Sequence, residues 1–178
     1  DAHGIDVLIH FWMALKTQSP DEWVEMRELS PSALMATYPA YPLWFVHGPE
    51  SAWQTMEGVM AAVWSPGPLR RTRLDLQFYV FPAYRDPTLT RQLAEGVLHY
   101  LFDLEDVTNI VGYVPQANRL VLRFLRRLGF GNLILRPQAV LDPATQQPVN
   151  AWEIWLSRQE WWARGQEQPA TDEETDDA

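Results

Sequence analysis

The chain has 178 residues and 20.6 kDa, which fits one globular domain, and its 47% hydrophobic content with nine Trp, seven Phe and six Tyr excludes wholesale disorder. Cysteine is absent, which excludes disulfides, thiol nucleophiles and thiolate zinc sites and fits a reducing compartment. The formal charge is −9, but Glu167, Asp172, Glu173, Glu174, Asp176 and Asp177 carry most of it, and without those six the body stands at about −3. Thirteen of the fourteen basic residues are arginine, with Lys16 the one lysine. This balance argues against nucleic acid as a partner. The apolar run over 6–15 stops at Lys16, too short for a membrane span and without a basic leader, so a soluble chain with no membrane partner is expected.

Residues 7–15 form a dense apolar run suited to a buried strand. Ser19-Pro20-Asp21-Glu22 has the form of a capping box with proline at the first helical position and predicts a helix of about ten residues. Ser30-Pro31 repeats the start signal, and Tyr38-Pro39 with Tyr41-Pro42 ends this second helix, because the residue before proline avoids the helical region. Residues 43–47 and 58–64 are compact apolar runs, and Ser65-Pro66-Gly67-Pro68 turns the chain into a third, which predicts an antiparallel meander.

From 71 to 81 the period is two: Leu74, Leu76, Phe78 and Val80 share one face, and Arg73, Asp75, Gln77, Tyr79 and Phe81 the other. Asp86 is the natural N-cap of a helix from Pro87, with Leu89, Leu93, Val97 and Leu101 on its apolar stripe. Residues 109–114 read as a strand, 119–128 as a basic amphipathic helix closed by Gly129, and 133–141 and 152–156 as two final strands. The order, without internal repeat, predicts a mixed α/β sheet rather than a doubly wound one. Apart from Pro169, residues 165–178 hold no aromatic or aliphatic residue larger than alanine, so the expectation is a domain over 1–164 followed by an acidic, disordered tail dispensable for folding.

The segment Tyr79-Val80-Phe81-Pro82-Ala83-Tyr84-Arg85, ending a strand and opening a helix, resembles the strand-to-helix junction of the GNAT superfamily of acyl-CoA-dependent N-acyltransferases. Gly112-Tyr113-Val114-Pro115-Gln116-Ala117-Asn118, followed by Phe124 and Leu128-Gly129-Phe130, is similar to that family's later strand, its helix-initiating asparagine and its closing glycine-phenylalanine. The resemblance implies an α/β (α+β) fold: a mixed, mostly antiparallel sheet with a splayed parallel pair, 71–81 beside 109–114, diverging near Val80 and Val114, and helices on both faces. It further implies acetyl-CoA in the gap, its pyrophosphate on a helix N-terminus, with Val80, Phe81, Arg85, Thr88, Leu89, Thr90 and Asn118 as cofactor-binding residues.

Two departures qualify that expectation. The family's phosphate loop carries small residues where this chain has Thr88 and Thr90, Pro87 removes an amide donor, and Asp86 brings a carboxylate toward the phosphate position. The plain alternative is that Asp86-Pro87 is a good helix cap. Leu125 stands where many members place a general-acid tyrosine, so proton delivery falls to Tyr113, Tyr79 or water. Asp75, on the face of Gln77 and Tyr79, is the candidate base, its alternative role being a solvated strand residue or an arginine partner. His3, His10, His47 and His99 show no ligand spacing, so no metal is expected. Arg119, Arg123, Arg126 and Arg127 form a basic helix face for nucleotide phosphates, an acidic partner or plain solvation.

Two functions follow from the resemblance. One is a divergent N-acyltransferase moving an acetyl group from acetyl-CoA to an amine of a protein, peptide or small molecule, in the cytoplasm. The other is a catalytically silent GNAT-fold structural or interaction module with a protein partner, for example a virion component of a tailed phage.

Overall fold

A computed structural model describes residues 12–13, 32–33, 36, 43–48, 59–65, 70, 72–103, 105–142 and 145–164. Trp12 and Met13 are helical, which corrects the strand expected over 7–15 at those two positions, the rest of that run lying outside the described residues. A continuous apolar run without alternation does not by itself separate strand from helix. The second helix agrees at Ser32, Ala33 and Ala36, while the helix expected after Ser19 and the segment 165–178 lie outside the described residues.

From residue 43 the described elements run β1 (Leu43–His47), β2 (Val59–Trp64), β3 (Leu74–Asp75), β4 (Gln77–Val80), α1 (Pro87–Asp103), β5 (Asn109–Pro115), α2 (Arg119–Arg127), β6 (Asn132–Leu141), β7 (Pro148–Ser157) and α3 (Arg158–Arg164), with a 3-10 turn at Pro82–Tyr84. β1, β2 and β4 form the antiparallel meander, and β3, β5, β7 and β6 form a second sheet in that order.

The run expected as one strand over 71–81 is divided between the two sheets. Leu74 pairs with Ile110 and Asp75 with Val111 in parallel register, and Leu76 donates its last bond to the Val111 carbonyl at 2.8 Å. From Gln77 the chain pairs only with β2 among the described strands. The parallel pair therefore parts at Leu76, several residues before the expected point near Val80 and Val114. Pairing with β2 occupies one edge of β4 from Gln77 to Val80, and the opposite edge, which faces β5, is left without a strand partner among the described residues.

The helices pack on one apolar cluster. Ala94, Val97, Leu98, Leu101 and Phe102 of α1 meet Leu74, Ile110, Val114, Ile154 and Leu156 of the sheet, with Leu122, Phe124 and Leu125 of α2 and Trp161 of α3 against them. Of the stripe read from the sequence, Val97 and Leu101 are buried, while Leu89 and Leu93 in the first turns are half-buried.

α3 is a helix that the sequence reading missed, and it closes α2. Arg164 donates to the Leu128 carbonyl and, at 2.9 Å, to the Arg127 carbonyl, so a side chain supplies the C-terminal partners that α2 lacks. Glu160 accepts from Ser157 and Asn132, and the Ser157 bonds in particular hold its carboxyl below the usual value. Gly129 sits between these parts at φ +98, and a Cβ there would meet Arg164 Nη1 at 2.6 Å. Gly129→Ala should therefore cost about 1–3 kcal/mol in urea unfolding, through a strained backbone and a displaced Arg164. An unchanged midpoint would show that neither matters.

Candidate functional site

Backbone alternation defines the gap left where β4 departs. Phe81 donates to the Met60 carbonyl at 3.0 Å, so in the antiparallel register with β2 the residues Gln77 and Tyr79 face β2. Phe78 and Val80 turn their N–H and C=O groups the other way, toward β5. On β5, Gln116 donates to Asn150 of β7 at 2.9 Å, which by the same alternation turns Tyr113 and Pro115 toward β4. Two strand edges thus face each other beyond Leu76 without pairing among the described residues. A wedge of this kind can take an extended, amide-bearing chain as a bridging strand.

At the rim, the Arg85 side chain folds back. Its Nε donates to the Val80 carbonyl at 2.9 Å and its guanidinium lies 5.4 Å from the centre of the Tyr79 ring, which meets Phe81 edge-on at 5.1 Å. Tyr79 is 2% exposed. The helix start that follows is closed by its own carboxylate. Asp86 Oδ1 accepts from Thr88 N–H at 3.0 Å and Leu89 N–H at 2.9 Å, and its carbonyl accepts from Thr90 at 2.8 Å. Pro87 has no N–H to offer, so every amide of the first turn is absent or engaged. Beside it lies a groove of about 220 Å³ lined by Arg85, Pro87, Thr90, Arg91, Phe124, Arg127 and Leu128.

The face of the sheet carrying Asp75 holds a connected polar cluster. Arg73 donates to Asp75 Oδ1 at 3.1 and 3.2 Å, to Tyr113 Oη at 3.2 Å and to Glu153 Oε1 at 3.2 Å, and Arg136 Nε donates to Glu153 Oε2. Burial opposes the charge on Arg73, but its bonds to Asp75 and Tyr113 outweigh that and raise its pKa. Glu153, 6% exposed, is a buried carboxylate held between two guanidinium groups.

No protein-family model matches the chain, and no curated protein matches it. Solved structures do. A spermidine N-acetyltransferase of Vibrio cholerae, SpeG, in complex with CoA and spermine superimposes with a TM-score of 0.70 at 13% identity, covering 87% of this chain and 92% of that one. A chimera of SpeG with hSSAT gives 0.71 at 13%, covering 87% and 92%. The chain has the GNAT fold.

Within the GNAT fold, the structure brings two of the three candidate catalytic residues together: Asp75 and Tyr113 share Arg73. Tyr79 lies apart, buried under Arg85. Among the candidate cofactor residues, Val80 and Phe81 end β4, Val80 facing the wedge and Phe81 facing β2. Arg85 and Thr90 line the groove, and Thr88 and Leu89 give their amides to Asp86. Asn118 begins α2, its side chain accepting from Val121 N–H at 3.2 Å. His99 is exposed, 5.1 Å from the Trp162 ring, and burial lowers the pKa of His47. His3 and His10 lie outside the described residues. Among the described residues no cluster of three His, Asp or Glu could hold a metal, and no helix is long and apolar enough to cross a membrane.

Sequence reasoning passed over Glu153, Arg136 and Arg91. Glu153 had a signal: it is a lone carboxylate inside the apolar run Trp152-Glu153-Ile154-Trp155-Leu156, which a strand buries. Arg91 follows Pro87 by one helical turn and so shares its face.

Proposed function

We propose that this protein is an N-acyltransferase that takes an acyl group from acetyl-CoA to an amine, with a modified hold on the donor's phosphates. The wedge carries the reading: the facing edges at Phe78 and Tyr113 and the N–H of Val80, whose carbonyl is taken by Arg85, suit the amides of a pantetheine arm. The groove next to it supplies Arg85, Arg91 and Arg127 for phosphate and Phe124 for a base. The fit fails at the first turn of α1, where Asp86 already occupies the amides, so donor phosphates rest on arginine side chains and affinity is modest.

Acetyl-CoA supplies an activated thioester when bound. Both Arg73 bonds to Asp75 fall on Oδ1, leaving Oδ2 to take a proton from the amine through water. Tyr113 Oη accepts from Arg73, so its own hydrogen is available for a departing sulfur, and the residue is 42% exposed at the mouth of the wedge. Buried Glu153 fixes Arg73 and, through it, both groups. The SpeG structures make a polyamine the first acceptor to test.

The test is acetyl transfer from acetyl-CoA to spermidine and a panel of primary amines. Tyr113→Phe should lower kcat by about 10²-fold with little change in KM for the donor. Full activity in that variant removes Tyr113 from the mechanism. No calorimetric heat with acetyl-CoA or CoA overturns the donor reading and favours the second one, a silent interaction module such as a virion component. The capture of the Thr88 and Leu89 amides by Asp86 is the observation on that side.

A further inference from the structure

α2 is a cation without counter-ions among the described residues. Its nine residues include Arg119, Arg123, Arg126 and Arg127 and no carboxylate, all four arginines are exposed, and none forms an ion pair among the described residues. Arg127 also lines the groove with Arg85 and Arg91. A helix of this charge density next to a concave surface calls for an anion.

The sequence places one within reach. Arg164, the last residue of α3, binds the Arg127 and Leu128 carbonyls, so the chain leaves α3 beside the groove that those two residues line. The next fourteen residues, 165–178, carry six carboxylates and no cation. Glu167 follows Arg164 by three residues, a reach of about 10 Å in extended chain, and the whole segment could span about 45 Å.

We propose that segment 165–178 docks on the arginine face of α2 and the mouth of the groove, standing in for the phosphates of a polyanionic ligand. That the displaced ligand is acetyl-CoA rests on the function proposed above; the docking does not. With only Pro169 and two alanines as apolar side chains, the segment is held by charge, so it contributes little to folding and yields to salt and to a better anion.

The absence of cysteine provides a clean probe. In the full chain, Ala178→Cys carries a nitroxide spin label, and amide signals are followed by NMR. Broadening is expected for residues 119–128 and 85–91 at low salt, and it should vanish at about 0.5 M salt and in a variant with all six carboxylates changed to Gln or Asn. Absence of broadening at low salt, or its persistence in the amide variant, overturns the proposal. So does tight binding of a short oligonucleotide to the same face without any broadening, which would assign the arginines to nucleic acid. CoA titrated into both chains should bind the amide variant about tenfold more tightly. No CoA binding to either defeats the donor reading alone, because the relaxation measurement decides the docking without it.

Discussion

Phe102→Ala should lower the unfolding free energy by about 3–5 kcal/mol, a large share of the roughly 5–15 kcal/mol that a domain of this size has. Phe102 is fully buried in the last turn of α1, its ring 6.2 Å from Trp161 of α3, and its carbonyl accepts from Arg158. Removing the ring leaves a cavity where α1, the sheet and α3 meet, and close-packed neighbours on three sides cannot all collapse into it. Leu120→Ala is the control: Leu120 is 75% exposed on α2 and should change stability by less than about 0.5 kcal/mol. Urea unfolding of the two variants checks both. Equal costs would mean that the cluster around Phe102 is not the core.

The same residues show what the sequence made legible. α1 was readable because three signals agree over 86–102: a capping Asp86, Pro87 at the first position and an apolar stripe at four-residue spacing. The meander was readable because turn residues bound each apolar run. The break at Leu76 was not, since Leu74, Leu76 and Phe78 keep perfect alternation across it and nothing in a period of two says which neighbour a strand edge will choose. The α3 cap was missed for a related reason: Arg164 acts through a contact 36 residues away in sequence.

The site divides in the same way. Asp75 and Tyr113 could be named because they lie beside recognisable strand and junction patterns, but Arg73 as the link between them is a fact of register: β3 beside β5, and β5 beside β7. Glu153 completes the cluster from a third strand. Parity along one strand can place a residue on a face; it cannot say what stands opposite on the next.

Substitution of Asp86 should move stability and ligand affinity in opposite directions, and two variants separate its two effects. Asp86→Ala removes both the charge and the acceptor for the Thr88 and Leu89 amides, so α1 loses its cap at a cost of about 1 kcal/mol. Those amides then point outward beside Arg85 and Arg91, and CoA affinity should rise about tenfold or more, since a phosphate gains two donors and loses a like charge. Asp86→Asn keeps a good cap, so stability should hold within a few tenths of a kcal/mol, while its side-chain oxygen still occupies the amides. It should gain only the electrostatic part of the affinity, a gain that shrinks as salt is added. The expected order of affinity is therefore Asp86→Ala above Asp86→Asn above the natural chain, read by calorimetry, with melting temperatures lowest for Asp86→Ala. If Asp86→Ala loses stability but its affinity does not rise, the helix start is a cap and nothing more, and any donor must be held by the groove arginines alone.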